Sequence, residues 1–183
     1  MDDLDTQRRR LLLGSAACLV MAALPQPAFA LPLAAGKPRN LDMFSVNTRE
    51  HVDVCYFNGQ TYLESELGSL NHLCRDHRRN ASTDMDPRLY DQLAAIYDFV
   101  DARNPITMVS GYRSPVTNEM LRKRGGGQAK KSYHMTGQAI DFFIEDVPLS
   151  KLRKTAVELQ AGGVGYYPKS GFIHVDTGPV RSW

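Results

Sequence analysis

Ser132-Tyr133-His134-Met135-Thr136-Gly137-Gln138-Ala139-Ile140-Asp141-Phe142-Phe143-Ile144 is the stretch on which the fold turns. Its second half reads as a buried strand: Ile140, Phe142 and Ile144 share one face, Asp141 and Phe143 the other. An acid in so apolar a strand is costly unless it is paired or metal-bound. The first half is a loop that must carry His134 back beside Asp141, and Gly137 eases that turn. A second stretch, Phe172-Ile173-His174-Val175-Asp176, alternates in the same way, so His174 and Asp176 project together. Two imidazoles and two carboxylates without a thiolate are the ligand set of a catalytic zinc or similar divalent site. Such a site uses three protein ligands and leaves a water position open. His134, Asp141, His174 and Asp176 therefore compete for three places, and a carboxylate left over suits a hydrolase as proton carrier. The residue pattern alone leaves open which Asp is the ligand.

Outward from these strands, Val164–Tyr167 and Phe172–Asp176 form a hairpin across Pro168-Lys169-Ser170-Gly171. Ser150 is expected to cap a helix carrying Leu152, Ala156 and Leu159, closed by Gly162-Gly163. Upstream, Ile106–Ser110 is a strand running into Gly111-Tyr112-Arg113, and Ser114-Pro115 starts a short helix. Arg122 to Lys131 encloses three glycines and reads as a mobile basic loop. Asp86-Pro87 starts a helix with Leu89, Leu93, Ile96 and Val100 on one face. The spacing of Leu63, Leu67, Leu70, Cys74 and His77 predicts another over 63–78. Two strands lie within Leu41–Phe57, split by a turn at Asn47–Glu50. The expectation is an α+β domain, a small antiparallel sheet with flanking helices, over 41–183.

Residues 31–40 read as a flexible lead-in, and residues 1–30 as an address. Arg8-Arg9-Arg10 precedes an apolar run, Leu11 to Leu24, stopped by Pro25, and Ala28-Phe29-Ala30 fits a cleavage site. The paired arginines and their flanks resemble a twin-arginine export signal, with a plain Sec signal as the alternative. The expected location is the periplasm. Asp2, Asp3 and Asp5 balance Arg8, Arg9 and Arg10, so the mature charge stays at +2. So weak a charge gives no support for nucleic-acid binding. No other apolar stretch is long enough for stable membrane insertion, and a monomer is expected. Cys55 and Cys74 admit either an exported-protein disulfide or two buried thiols. His51, His72 and His77 have no partners in sequence and read as surface or helix-face residues.

Ser132-x-His134-x-x-Gly137-x-Ala139-x-Asp141 with Phe172-Ile173-His174-Val175-Asp176 resembles the motifs of the zinc D-alanyl-D-alanine peptidases of the M15 class, and in particular a branch of murein endopeptidases. Ser110–Ser114 and Gly162–Pro168 extend the likeness over most of the mature chain. The resemblance implies a Hedgehog-like α+β fold, one zinc ion held by His134, Asp141 and His174, and peptidoglycan stem peptides as substrate. Many class members carry a Glu base three residues before the last zinc His. That position here is Gly171, so the expected base is Asp176, the nearest acid by strand geometry. Similar enzymes place an Arg near the substrate carbonyl or carboxylate, and Arg113 fits that role. Ser132 either contacts substrate or caps its loop. Tyr166 either lines the cleft or packs in the hairpin.

Three functions compete. The first is a zinc-dependent murein endopeptidase cutting diaminopimelate–diaminopimelate or D-alanyl-diaminopimelate cross-links. The second is a binding module that keeps the metal without catalysis, which the glycine at position 171 favours. The third is a non-haem iron oxygenase, since His174-x-Asp176 with a distant His imitates a two-His-one-carboxylate triad. That reading leaves Asp141 unexplained.

Overall fold

The structure, a computed structural model, describes residues 36–125 and 127–183. The export signal expected over 1–30, and the lead-in up to residue 35, lie outside the described residues. The ordered sheet starts at Arg39, inside the expected lead-in.

Seven strands form one sheet in the order β2-β1-β3-β4-β6-β5-β7. They are β1 (Arg39–Ser45), β2 (His51–Phe57), β3 (Ile106–Ser110), β4 (Ala139–Ile144), β5 (Gly163–Tyr167), β6 (Phe172–Asp176) and β7 (Arg181–Ser182). Among the described residues, four α-helices accompany them: α1 (Glu64–Leu73), α2 (Pro87–Val100), α3 (Pro115–Lys123) and α4 (Leu149–Glu158). The α+β class is the one expected. The sheet is larger and more mixed than the small antiparallel one expected, because β1 pairs with β3 in parallel and β5 with β7 in parallel. The first pairing is possible because α1 and α2 intervene between β2 and β3, which gives the chain the long crossover that parallel neighbours need.

Period-2 alternation decides what each face of the sheet carries. Ile140, Phe142 and Ile144 of β4, Ile173 and Val175 of β6 and Val164 of β5 join one core cluster with Leu89, Leu93, Ile96 and Val100 of α2 and Leu152 and Ala156 of α4. The opposite face of the same strands is left for Asp141, His174 and Gly165, which lie side by side in register. Dense packing beneath therefore fixes the polar row above.

Local chemistry accounts for most element ends. Asp86 caps α2 by accepting from the Arg88 backbone N–H at 3.0 Å, and Ser114 caps α3 by accepting from Thr117 N at 3.3 Å. Two boundaries differ from expectation. Helix α1 stops at Leu73, not 78, because the Asp76 carboxylate is claimed by tertiary partners. It accepts from Ser114 N at 3.0 Å and Ser114 Oγ at 2.6 Å, and the Asp76 backbone N–H donates to Ala81 O at 2.8 Å. Those bonds outweigh the weak helical preference of the local residues. Helix α4 starts at Leu149 with Pro148 at the cap position, so Ser150 lies inside its first turn. Cys55 and Cys74 are both free. Cys74 is fully buried, and burial pushes its thiol up to about 12. Among the described residues, no helix is long and apolar enough to cross a membrane.

Candidate metal centre

Asp141 sits at the centre of the sheet, directly opposite His174 across the β4–β6 ladder and opposite Ser110 across β3–β4. His134 arrives from outside the sheet. A short 3-10 turn, Tyr133–Thr136, starts at Ser132, whose Oγ accepts from His134 N at 3.3 Å. It ends at Gly137, which takes a left-handed φ of 69° where a Cβ would lie 2.7 Å from the Asp84 carbonyl oxygen. The loop thus folds back as its composition requires, and the three side chains converge. His134, Asp141 and His174 each offer a ligand atom, all within 4.8 Å of one another.

The outer partners of the two rings settle which nitrogens face inward. His134 Nδ1 lies 2.7 Å from the Gly111 carbonyl oxygen, an acceptor only, so Nδ1 carries the proton and Nε2 presents a lone pair. Gly111 can come so close because it lacks a Cβ; one there would lie 2.5 Å from Cys74 O. His174 Nε2 lies 3.0 Å from Asp176 Oδ2 on the outer side of the ring, and Nδ1 turns inward; with a metal ion among the inward atoms, Nε2–H would donate to Asp176 and Nδ1 would present its lone pair. His174 Nδ1 is then 2.8 Å from Asp141 Oδ1 and 3.2 Å from His134 Nε2, and His134 Nε2 is 3.3 Å from Asp141 Oδ1. Three electron-pair donors this close repel unless a positive charge lies among them. Donors about 2.0–2.1 Å from a tetrahedral zinc sit roughly 3.3 Å from one another, so the triangle suits such an ion with little movement.

The electrostatics agree. Burial opposes ionisation of Asp141, yet the imidazoles of His134 and His174 outweigh it and hold the carboxyl well below the usual range. Burial likewise opposes charge on His174, but its bonds to Asp141 and Asp176 prevail and raise its proton affinity. The three residues form a group that could hold a metal ion.

Asp176 lies elsewhere than the expected base. It is 0 % exposed. Its Oδ1 accepts from Gly163 N at 3.2 Å, Gly178 N at 2.9 Å and Arg181 Nη1 at 3.0 Å, and its Oδ2 from Arg181 Nη2 at 2.6 Å and His174 Nε2. Burial pushes its pKa up, but the donors of His174 and Arg181 outweigh that and hold it low. A carboxylate so saturated, bound at the outer nitrogen of His174 and absent from the cavity lining, is placed to orient the ring. The same placement takes Asp176 out of the ligand set on which the oxygenase reading rests, because it meets the outer nitrogen of His174; the carboxylate that joins the two imidazoles is Asp141. Gly171, where a Glu base would stand, occupies the β5–β6 turn with φ of 77°, and its N–H donates to Tyr167 O at 3.0 Å.

The three donors form the floor of a cavity of about 570 Å³ whose walls include Arg113, Lys131, Tyr133, Tyr167 and Trp183. Arg113 is buried, and its Nη2 lies 3.8 Å from Asp141 Oδ2. Its hydrogen bonds to Asn118 Oδ1 and Ser110 Oγ are both long, at 3.4 Å. Burial lowers its proton affinity and Asp141 opposes that shift, so an anion entering the cavity finds an under-satisfied guanidinium. Ser132 lines the cavity and also caps its own turn. Tyr166 does not belong to this site. It pairs with Ile173 on the core side of the hairpin, and the Arg153 guanidinium lies 5.2 Å from its ring. Alternation hands the cavity to Tyr167, which stacks on Phe172 at 4.9 Å.

Lys131 was visible only as part of a charged loop. Arg181 and Trp183 carried no sequence signal beyond an arginine five residues after an acid and the chain's single tryptophan. Among the described residues that line the cavity, Asp141 is the sole carboxylate.

A family model described as peptidoglycan L,D-endopeptidase MepK matches residues 33–183. The Escherichia coli K12 protein named peptidoglycan L,D-endopeptidase MepK is 48% identical over 183 residues, covering all of both chains. A Haemophilus influenzae protein named probable peptidoglycan L,D-endopeptidase MepK is 41% identical over 184 residues, covering all of this chain and 98% of that one.

Proposed function

The chain belongs to the M15-class family of MepK-like endopeptidases, and from that membership we propose that it is a zinc-dependent peptidoglycan endopeptidase acting in the periplasm as a monomer. The observation that carries the reading is the convergence of two inward-facing imidazole nitrogens and one carboxylate oxygen at the floor of a cavity walled in part by Arg113, Lys131 and Arg181. The relatives' name, an L,D-endopeptidase, favours the direct diaminopimelate–diaminopimelate link over the D-alanyl-diaminopimelate link.

His134, Asp141 and His174 would hold the ion. A bound zinc supplies Lewis acidity toward the scissile carbonyl and a water that is acidic enough to attack near neutral pH. The protein does the rest. Gly111 O and Asp176 fix the ring tautomers so that both ligand nitrogens are unprotonated. Arg113, 3.8 Å from Asp141 and only loosely bonded to Asn118 and Ser110, is available to stabilise developing negative charge or to receive a substrate carboxylate. Lys131 and Arg113 on the cavity walls favour an acidic stem peptide over a neutral one.

The decisive experiment is digestion of purified muropeptide dimers, one with each cross-link, by metal-loaded protein with and without chelator. Chelator-sensitive monomer release from the diaminopimelate–diaminopimelate dimer is expected. Binding of either dimer without new products would support the second reading, a metal-holding binding module. That no described residue lining the cavity, Asp141 aside, carries a carboxylate side chain is the observation that favours it.

A further inference from the structure

Trp183 is held on every side that touches protein. Its backbone N–H donates to Val164 O at 3.1 Å and its carbonyl oxygen accepts from Tyr166 N at 3.1 Å, extending the contact of the short edge strand β7 along β5. Its indole Nε1–H donates to the Tyr167 hydroxyl at 2.8 Å. The Arg181 guanidinium lies 4.9 Å from its ring and 5.1 Å from the ring of Tyr133. The indole reaches over the sheet because β5 offers Gly165 there. A Cβ at that position would lie 2.8 Å from Trp183 Cζ2 and 2.9 Å from Cε2. The result places the indole 5.4 Å, centroid to centroid, from the candidate metal ligand His174.

A ring this firmly fixed is nonetheless 48% exposed, and it forms part of the cavity above the three donors. An anchored tryptophan with an uncovered face is a contact surface waiting for a partner, since covering it releases a large apolar area from water. An extended peptide entering the cavity supplies such a partner, with side-chain methylenes to lie against the indole.

We propose that Trp183 is a substrate-contacting specificity residue, whose open face packs against the aliphatic side chain of the stem-peptide residue next to the scissile amide. Arg181 supports it, both terminal nitrogens of its guanidinium bound to Asp176 and the group itself 4.9 Å from the indole ring. This rests on the peptidoglycan-peptidase reading. It adds that recognition next to the metal site is apolar as well as electrostatic, and it favours the long methylene chain of a diamino acid there over the single methyl of alanine.

Trp183 is the chain's only tryptophan, so its emission reports on this wall alone. The test titrates metal-loaded protein with the uncross-linked tripeptide monomer and measures turnover of the diaminopimelate-linked dimer by wild type, Trp183→Ala and Trp183→Phe. A saturable change in emission is expected. Trp183→Ala should raise KM about fivefold to tenfold with a much smaller change in kcat, and Trp183→Phe should recover most of the loss. Metal content and Tm of each variant are measured in parallel. An active wild-type enzyme whose emission stays unmoved at saturating tripeptide overturns the proposal. So does a Trp183→Ala variant that loses kcat at unchanged KM, which would make the residue a support for His174. Should Trp183→Ala fail to fold or to load metal, Trp183→Phe and the emission titration decide. A wild-type protein that cleaves neither dimer would remove the peptidase reading and this proposal with it, whereas cleavage with an unmoved KM removes only the role of Trp183.

Discussion

Replacing Asp176 by asparagine changes one oxygen into an NH2 group and keeps the shape of the side chain. The consequence follows from the five donors around that carboxylate. The amide oxygen can keep the bonds from Gly163 N and Gly178 N, at 3.2 and 2.9 Å. The new NH2 group then takes the place of Oδ2, facing Arg181 Nη2 at 2.6 Å and His174 Nε2 at 3.0 Å, both donors. His174 can relieve the clash by moving its proton from Nε2 to Nδ1, so that Nε2 accepts from the amide. That tautomer puts a proton on the nitrogen that faces Asp141 and His134. Ring tautomers set by outer carboxylates typically matter to metal affinity by 10–100-fold, about 1.4–2.7 kcal/mol. Asp176→Asn should therefore weaken zinc binding by about that factor. A competition titration against a chromophoric chelator measures it, with turnover recorded at saturating zinc. Loss of turnover with zinc affinity within about twofold of wild type would refute this reasoning and restore Asp176 as the proton carrier.

Arg113→Lys should keep metal affinity but lower kcat/KM by about a hundredfold, because an ammonium cannot reach Asn118 and Ser110 at once while facing the cavity. Tyr166→Leu, on the core side of the sheet, should leave KM within about twofold and cost at most about 1.5 kcal/mol in denaturant unfolding. Asp76 ties the loop carrying Arg113 to the end of α1. Burial raises its pKa, but the hydrogen bonds from Ser114 outweigh that and hold it below its ordinary value. A carboxylate with a depressed folded pKa contributes stability above its unfolded pKa of about 3.9 and loses it as the pH falls through the folded value. Asp76→Asn should thus be less stable at neutral pH and show a flatter decline in stability below about pH 4, read by urea midpoints across pH. Leu93→Ala, at the centre of the core between α2 and the sheet, should cost about 2–5 kcal/mol without changing zinc stoichiometry.

The short-range signals were dependable where one interaction dominated. Asp86-Pro87 and Ser114-Pro115 start α2 and α3 because a cap and a fixed φ act within three residues. Strands β3, β4 and β6 have the expected bounds, since a packed core face enforces the period of two. Failures came where a distant partner won. Asp76 ended α1 early through Ser114, 38 residues away.

The metal centre divides along the same line. Residue type and strand parity marked His134, Asp141 and His174 as one cluster, because an imidazole or carboxylate on a buried strand has few inexpensive fates. Parity also aimed His174 and Asp176 to the same side, and there its reach stopped. Direction along a strand does not say which nitrogen of an imidazole meets which neighbour. Arg181 and the Gly163 and Gly178 amides, brought in by β7 and the hairpin, claim the carboxylate of Asp176 from the rear of His174 and turn an expected base into an anchor. The same edge strand sets Trp183 over Gly165, while Tyr166, its neighbour in sequence, falls on the core side. Ligand identity is a matter of side-chain chemistry, which is written in the chain. The pairing of lone pairs with donors depends on contacts between residues far apart in sequence, which exist only once the sheet has closed around them.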